Sequence, residues 1–121
     1  MQSKIKILFT RVYNLKGSEF DVIFALLKEK DDKELTIQDL VKKIGKDRTT
    51  IQKVATSLVK KKLLYIRQEN LTRGFHYKYS LYERESLFKK VEKMLKEDFE
   101  NDIQSITNLK KKYGIGKNDT N

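Results

Sequence analysis

A group of polar and basic side chains near the middle of the chain has the chemistry needed to contact nucleic acid. Arg and Lys hydrogen-bond to guanine or phosphate, Gln pairs with adenine, and Thr contacts a thymine methyl group or phosphate. Side chains of these types recur on one predicted helix: Arg48, Thr49, Thr50, Gln52, Lys53, Thr56 and Lys60. We expect its first half to enter a DNA major groove, because recognition helices present their N-terminal residues to base edges. The alternative is an ordinary solvated helix face.

The net charge of the chain is concentrated around the same residues, which favours DNA contact over a solvated face. Residues 42–78 carry eleven basic and two acidic side chains, and the formal net charge of all 121 residues is +10. A concentrated positive field attracts polyanions, and nucleic acids are the commonest of these in the cytosol. Within this window, Lys61 and Lys62 are explained equally well as cations at a helix C-terminus.

A predicted hairpin tip supplies a second group of candidate DNA contacts. Gly74 accepts positive φ, which suits a turn, and Arg73 beside it could enter a minor groove or contact the DNA backbone. Neighbouring polar side chains could add hydrogen bonds to phosphate. The predicted contacts of this hairpin are Arg67, Asn70, Thr72 and Arg73.

The composition argues against several other kinds of site. The chain has no cysteine and one histidine, so we expect no disulfide and no metal site, and we interpret His76 as an ordinary strand residue. No carboxylate pair stands in an apolar setting and no Gly-rich phosphate loop occurs, so neither an enzyme nor a cofactor is expected. No apolar run approaches the roughly 18 residues that span a bilayer, and we expect a cytoplasmic protein.

Four tyrosines, Tyr65, Tyr77, Tyr79 and Tyr82, admit two interpretations. Their rings could stack on the bases of single-stranded nucleic acid. They also alternate with polar residues, which is typical of a sheet that packs one face against helices. We prefer sheet packing.

The spacing of apolar residues indicates which elements position these side chains. It predicts a helix over residues 3–16 that ends near Gly17, with a strand over residues 5–9 as the competing prediction. Ser18 and Asp21 then resemble the capping box of a second helix, which is apolar almost all round and is therefore expected to be the most buried.

Two helices joined by a three-residue turn follow a polar loop at residues 29–33. Thr36 and Asp47 are the predicted N-caps of these helices, and Gly45 is the predicted end of the first. A short turn that contains Gly between two helices is typical of the helix-turn-helix motif. Such a turn leaves one face of the second helix in the core and the opposite face free.

The apolar period then changes from 3.6 to 2, which predicts two strands over residues 63–68 and 75–81. A helix, a helix-turn-helix and a two-stranded hairpin follow one another in this order in winged helix domains. We therefore predict an α+β, mostly α fold: a winged helix-turn-helix with a two-stranded wing and a long C-terminal dimerisation helix. The predicted parts are a helical arm (1–17), a winged helix DNA-binding domain (18–82), a dimerisation helix (83–112) and a flexible tail (113–121).

The predicted C-terminal helix carries an apolar stripe that needs a partner. Thirty residues would reach about 45 Å at 1.5 Å per residue, longer than the domain before it. The simplest partner for such a stripe is the same helix of a second chain. The predicted dimerisation residues are Phe88, Val91, Leu95, Phe99, Ile103, Ile106 and Leu109.

The stretch from Asp47 to Lys53, with residues 57–64 after it, resembles winged-helix transcription regulators of the MarR and TrmB groups, most closely the short archaeal members. Residues 70–79 are similar to the wing of those regulators, where a basic residue precedes Gly and aromatic residues. The resemblance covers roughly residues 18–82. It implies a homodimer that binds a roughly palindromic DNA site with one recognition helix per half-site. TrmB proteins that sense sugars carry a further effector domain, which this sequence does not show, and the resemblance leaves the effector ligand open.

Three functions are compatible with these features. The first is a sequence-specific, double-stranded DNA-binding transcription regulator that acts as a homodimer, and we predict this one. The second is an architectural chromatin protein that binds DNA with little sequence preference. The third is a winged helix that serves as a protein-interaction module of the transcription machinery, which would not need the basic window.

Overall fold

The computed structural model describes residues 2–30 and 33–114. Its helices are α1 (Gln2–Tyr13), α2 (Glu19–Leu27), α3 (Ile37–Ile44), α4 (Arg48–Lys60) and α5 (Arg84–Tyr113). Its strands are β1 (Leu35–Thr36), β2 (Leu64–Asn70) and β3 (Phe75–Leu81). This order confirms the predicted α+β fold with a helix-turn-helix, a wing and a long C-terminal helix. The flexible tail predicted over residues 113–121 lies, beyond residue 114, outside the described residues.

The sheet has three antiparallel strands in the order β1-β3-β2, one more than the sequence predicted. Strand β1 has only two residues, and Leu35 pairs with Tyr79 of β3. An alternating apolar pattern cannot show in two residues, which is why sequence periodicity missed this strand. Strands β2 and β3 pair along all seven residues of each. The wing, which we define as β2, β3 and the tip at residues 71–74, is therefore longer than predicted.

Helix α1 confirms the helical prediction for the N-terminal residues over the competing strand, but it ends earlier than predicted. Asn14 has φ 53° and takes the left-handed conformation at the helix end. The Leu15 amide donates a hydrogen bond to the Thr10 carbonyl at 3.1 Å, as in a Schellman motif. Gly17 is thus not the helix cap, and its φ of 54° serves the turn into α2 instead.

The capping box predicted at Ser18 was wrong. Ser18 precedes α2, but its side chain makes no capping hydrogen bond. Its hydroxyl accepts a hydrogen bond from Lys46 Nζ, which belongs to the turn between α3 and α4. The reason is burial: Ser18 is only 5% exposed, and its side chain is used for tertiary contact.

Helices α3 and α4 form the helix-turn-helix, with the N-caps that the sequence predicted. Thr36 and Asp39 form a reciprocal capping box, with bonds of 3.1 Å from the Asp39 amide to Thr36 Oγ1 and 3.0 Å from the Thr36 amide to Asp39 Oδ2. Gly45 ends α3 at φ 81°, a conformation that favours glycine. Asp47 caps α4 by accepting a hydrogen bond from the Thr50 amide at 3.2 Å.

The inner faces of α2, α3 and α4 pack with the sheet to form the core. Helix α2 is buried over most of its length, as predicted. In α4, Ile51, Ala55 and Leu58 are completely buried, so the opposite face of this helix points to solvent. Leu64 and Tyr79 contribute to the core from the sheet.

A buried carboxylate fixes the C-terminal half of α4 against the start of α2. Glu19 is 3% exposed; its Oε2 accepts a hydrogen bond from Ser57 Oγ and its Oε1 one from Lys61 Nζ, both at 2.7 Å. Burial alone would raise the pKa of Glu19, but the hydrogen bonds from Lys61, Ser57 and the Lys16 amide outweigh it and lower the pKa below its usual value. Lys61 also donates to the Asn14 carbonyl at 2.8 Å, so this lysine is a structural cation.

Helix α4 ends at a residue in the left-handed conformation that is not glycine. Lys62 has φ 61°. Its amide donates to the Val59 carbonyl and the Leu63 amide to the Leu58 carbonyl, both at 3.0 Å, which completes a Schellman motif. Glycine is usual at this position because a Cβ atom makes positive φ unfavourable. Lys62 therefore holds a strained backbone conformation.

Arg84, the first residue of α5, caps the C-terminal end of α2. Its guanidinium donates to the carbonyls of Leu26 at 3.0 Å and Glu29 at 3.1 Å. The Leu26 carbonyl lies in the last turn of α2, where a helix lacks internal donors, and the Glu29 carbonyl lies just after the helix. Arg84 belongs to the compact unit Met1–Leu87, and the second unit is Phe88–Asn121. In the described part of the chain, the second unit consists of the continuation of α5 to Tyr113 and of residue 114.

Replacing Lys62 by glycine should stabilise the protein. We expect Lys62→Gly to raise the free energy of unfolding by about 0.5–1 kcal/mol, because glycine adopts φ 61° without the Cβ penalty. Lys62→Ala is the matched control, since it removes the charge and keeps the strain. Urea unfolding at one fixed protein concentration measures both variants. Equal stabilisation by the two variants would show that the charge, and not the backbone, is responsible.

The Glu19 network should make stability depend on pH in the acid range. The folded-state pKa of Glu19 is lowered, so its stabilisation is present above the unfolded pKa of about 4.3 and is lost as the pH falls through the folded pKa. We expect Glu19→Gln to lower the free energy of unfolding by about 1–3 kcal/mol at pH 7. The loss should become progressively smaller below pH ~4.

Chemical unfolding between pH 3 and pH 7 measures this difference. Ser57→Ala, which removes a single hydrogen bond and no charge, should cost about 1 kcal/mol. A cost of Glu19→Gln that stays constant across the pH range would mean that the ionised state of Glu19 does not contribute to the stabilisation.

Candidate nucleic-acid interface

Most of the α4 residues that were predicted to contact DNA are exposed to solvent on the outward face of this helix. Six of the seven are exposed: Arg48, Thr49, Gln52, Lys53, Thr56 and Lys60. The same helix buries Ile51, Ala55 and Leu58 completely, so its rotation about its own axis is fixed. The exposed set therefore forms one continuous face, which we call the reading face.

Thr50, the seventh predicted residue, is engaged inside the chain. Its hydroxyl donates to Asp47 Oδ1 at 2.6 Å, in addition to the capping bond from its amide. The hydrogen bonds from Thr50 also lower the pKa of Asp47, which keeps the cap ionised. A DNA contact by the Thr50 hydroxyl would have to compete with this cap, so we leave Thr50 out of the reading face.

A ladder of charged side chains crosses one face of the wing. Arg67 donates twice to Glu34, through Nη2 at 2.7 Å to Oε1 and through Nε at 2.9 Å to Oε2. This pairing raises the pKa of Arg67 and lowers that of Glu34. Arg67 was predicted to contact DNA; the structure gives it an intramolecular partner, and a DNA contact would require breaking this pair.

Glu69 holds the rest of the ladder together. His76 Nε2 lies 2.8 Å from Glu69 Oε1, and Lys78 Nζ lies 3.2 Å from Glu69 Oε2. These contacts, the one with His76 foremost, lower the pKa of Glu69 to about 2. His76 and Lys78 lie on β3, and Glu69 lies on β2 directly opposite His76. The ladder thus ties the two strands of the wing together on their outer face.

The tip of the wing carries the remaining predicted contacts. Arg73 and Thr72 are exposed, and Gly74 has φ 76°. The Leu71 amide donates to the Gly74 carbonyl at 2.9 Å and closes the turn. Among the described residues, no carboxylate lies within ion-pair distance of Arg73. Asn70 accepts a hydrogen bond from Gln68 at 3.1 Å, which leaves its amide group free to donate.

The basic window therefore divides into structural cations and available cations. Four of its eleven basic side chains have carboxylate partners: Lys43 with Glu29, Lys61 with Glu19, Arg67 with Glu34 and Glu69, and Lys78 with Glu69. Within residues 2–30 and 33–114, the other seven form no ion pair with a carboxylate: Lys42, Lys46, Arg48, Lys53, Lys60, Lys62 and Arg73. Three of these seven lie on the reading face and one lies at the wing tip. Four of the seven unpaired cations thus lie at positions predicted from the sequence to contact DNA.

An open cleft separates the reading face from the wing. It encloses about 630 Å³ and is lined by Gln52, Lys53, Thr56, Ser57, Lys60, Ile66, Tyr77 and Tyr79. One wall of the cleft is polar and basic, and it belongs to α4. The other wall is apolar and aromatic, and it belongs to the wing. Smaller space nearer the N-terminus of α4, about 250 Å³, is bordered by Arg48, Gln52 and Phe75, among others.

The interpretation that the four tyrosines pack against the helices holds for one of them. Tyr79 is 4% exposed and belongs to the core. Tyr77 is 41% exposed and Tyr65 is 54% exposed. The ring of Tyr65 packs on that of Tyr82, with a centroid distance of 4.3 Å. Tyr77 shares the sheet face of Tyr79 but lies closer to the wing tip, beyond the buried core, while Tyr65 lies on the opposite face of the sheet.

The predicted dimerisation stripe is exposed over most of α5. Phe88, Leu95, Phe99, Ile103, Ile106 and Leu109 are each at least 42% exposed. Val91 is the exception at 6%, so it does not form part of the exposed stripe. An apolar stripe of this size on a surface marks an interaction site.

Sequence reasoning missed three acidic residues that shape this site. Glu19, Glu34 and Glu69 hold the cations that α4 and the wing do not offer to a ligand. Glu19 and Glu34 have partners 42 and 33 residues away, Lys61 and Arg67, and no local pattern signals such pairs. For Glu69, the alternation of β2 and β3 would have put it on the same sheet face as His76.

Among residues 2–30 and 33–114, no group of three or more His, Asp or Glu side chains is placed to hold a metal ion. In the same described part of the chain, no helix has the length and apolar character that crossing a membrane requires.

Two solved structures are similar in fold to this chain. The chain resembles a possible transcriptional regulator from Methanosarcina mazei Go1, with a TM-score of 0.65, 23% identity, and 87% of this chain and 88% of that chain covered. It also resembles MepR of S. aureus, solved in a complex with DNA, with a TM-score of 0.54, 21% identity, and 93% and 92% of the two chains covered. No protein of curated function matches the sequence.

Comparison with protein families confirms the resemblance that the sequence carries. Residues 10–85 match the family described as "Sugar-specific transcriptional regulator TrmB". The match runs from the last turn of α1 to the start of α5 and so includes the helix-turn-helix and the wing. The members of this family are regulators rather than enzymes, and the chain belongs to the TrmB family of transcriptional regulators.

Proposed function

We propose that this protein regulates transcription by binding double-stranded DNA sequence-specifically as a homodimer. The observation that carries the proposal is the reading face of α4. Its six side chains are exposed on the second helix of a helix-turn-helix, and its three cations have no carboxylate partner among the described residues. MepR, whose fold this chain shares, was solved in a complex with DNA, which supports DNA as the partner.

Specificity in this proposal comes from the N-terminal half of the reading face. Arg48 can form a bidentate contact with guanine, and Gln52 can do the same with adenine. Both are exposed, and they border one cavity, so they can act on neighbouring base pairs. Lys53 and Lys60 supply phosphate contacts that position the helix without reading sequence. Arg73 at the wing tip contacts the adjacent minor groove or backbone.

The exposed apolar stripe of α5 provides the dimer contact. Six large apolar side chains at helical spacing over a 30-residue helix would be costly to leave in water. A second copy of the same helix covers such a stripe with matching chemistry. Two linked modules then bind half-sites about 34–36 Å apart, or a multiple of this distance, and gain effective concentration over one module.

Substitutions on α4 should separate sequence reading from phosphate binding. At a site selected from a random DNA pool, we expect Gln52→Ala or Arg48→Ala to weaken the free energy of DNA binding by about 1–3 kcal/mol. Each should also relax the base preference at one or two positions of the site. Lys60→Ala should weaken binding to all duplexes alike and reduce the slope of log K against log[salt] by about 0.9. Fluorescence anisotropy on the selected site and on scrambled duplexes, between 50 and 300 mM salt, measures both effects.

Lys110→Ala, which removes an exposed lysine at the far end of α5, is the control and should change neither quantity. If Gln52→Ala, Arg48→Ala and Lys60→Ala all reduce binding equally on every sequence, α4 does not read bases. The protein would then be an architectural DNA-binding protein with little sequence preference.

A charge placed on the α5 stripe should disrupt the homodimer. We expect the full chain to sediment as a dimer and Ile106→Asp to raise the dimer dissociation constant by at least tenfold, because a carboxylate would be buried without a partner. Asn101→Asp adds the same charge on the polar side of α5 and should leave the dimer intact. Sedimentation velocity over a range of protein concentrations distinguishes them. If both variants stay dimeric, α5 is not the principal dimer contact.

A further inference from the structure

The wing carries an apolar face that the helices leave uncovered. Ile66, Phe75 and Tyr77 are 43%, 53% and 41% exposed, respectively. They lie on the same sheet face as the buried Tyr79, since Phe75, Tyr77 and Tyr79 alternate along β3 and Ile66 pairs directly with Tyr79. The core covers this face only up to Tyr79. Beyond Tyr79, the face continues toward the wing tip. There the rings of Phe75 and Tyr77 pack edge to face, with their centroids 5.4 Å apart.

The uncovered face is one wall of the cleft beside α4. Opposite Ile66 and Tyr77, the cleft is lined by Lys53, Thr56 and Lys60. The two lysines have no carboxylate partner among the described residues. A molecule that fills this cleft must therefore present anionic groups on one side and apolar groups on the other.

One strand of a DNA duplex has this combination of groups. Its phosphates are anionic, and the deoxyribose rings between them expose C–H groups to the grooves. About half to two-thirds of the hydrogen bonds between proteins and DNA go to phosphate and sugar. A strand that runs through the cleft would offer phosphates to α4 and sugars to the wing.

We propose that Tyr77 and Ile66 pack against the deoxyribose rings of one DNA strand while Lys53 and Lys60 bind its phosphates. The proposal rests on the proposed function, since it assumes that α4 faces duplex DNA. It adds an apolar contribution to an affinity that would otherwise come mostly from charge. That contribution does not release counterions, so it does not depend on salt.

The geometry favours duplex sugars over the bases of single strands. A stacking platform for successive bases needs ring faces that are parallel to one another. The rings of Phe75 and Tyr77 are instead inclined at 70°. Ile66, the other member of the wall, has no ring face to offer. Sugar C–H groups, by contrast, pack on aliphatic and aromatic surfaces alike.

Full-chain variants that differ in one wing side chain test the sugar contact. Tyr77→Ala removes the ring, Tyr77→Phe keeps it, and Tyr65→Ala is the matched control. Tyr65 lies on the opposite face of the sheet, on β2, and is 54% exposed. Binding to a selected duplex is measured from 50 to 300 mM salt. Circular dichroism confirms that each variant folds, and Ile66→Thr provides a second variant on the same wall.

We expect Tyr77→Ala to weaken duplex binding about tenfold with an unchanged salt slope, which corresponds to about 1.4 kcal/mol. Ile66→Thr should weaken it about threefold, also without changing the slope. Tyr77→Phe and Tyr65→Ala should stay within about twofold of the unmodified protein. Hydroxyl-radical footprinting should show deoxyribose positions that are protected by the unmodified protein and re-exposed with Tyr77→Ala.

Three results would overturn the proposal. The first is that Tyr77→Ala and Tyr65→Ala bind duplex DNA with equal affinity, and the second is that Tyr77→Ala leaves the hydroxyl-radical footprint unchanged. The third is that Tyr77→Ala lowers the affinity for single-stranded DNA only. The last would assign the wall to base stacking instead. Failure of the proposed function looks different. If the pool enriches no sequence, specific reading by α4 fails, yet the Tyr77 and Tyr65 variants can still be compared on any duplex that the protein binds.

Discussion

The ionised carboxylate of Glu19 sets where α4 lies, and the candidate interface depends on that position. The buried stripe of α4 fixes its rotation, but a stripe of three apolar side chains allows the helix to slide and tilt. Two hydrogen bonds from Ser57 and Lys61 to one carboxylate remove that freedom at the C-terminal half. At the other end, Lys46 in the turn before α4 donates a hydrogen bond to Ser18 at the start of α2. A helix held at both ends can present its outer side chains at fixed positions, as sequence reading requires.

Pairing between charges decides which basic residues can meet a polyanion. Lysines at neighbouring positions have different environments: Lys61 is held by Glu19, while Lys60 and Lys62 have no such partner in the described part of the chain. The strongly basic middle of the sequence is thus partly internal to the fold. The unpaired cations lie at the end of α3, in the turn before α4, on α4, just after it and at the wing tip. The same division explains why the cleft has one basic wall and one apolar wall.

The sequence predicted those parts of the fold and site that depend on local patterns. The caps at Thr36 and Asp47, the turn at Gly45 and the strand over residues 75–81 follow from side-chain chemistry within a few residues, and the structure confirms them. Ser18 misled the prediction because tertiary burial overrode its local preference for capping. Strand β1 and the pairing of Arg67 with Glu34 depend on partners more than thirty residues away. No single-sequence pattern contains that information. The roles of individual residues toward DNA stay predictions.

The charge ladder around Glu69 bears on how the wing can change in evolution or by design. Along the strands, Arg67 and Lys78 are balanced by Glu34 and Glu69, so the shaft of the wing adds almost no net field. The only charge at the tip, over residues 71–74, is that of Arg73. The tip is therefore an exchangeable segment: its length and side chains can vary while the shaft keeps its shape. Related regulators could acquire new groove contacts by replacing four residues, without having to rebalance the rest of the domain.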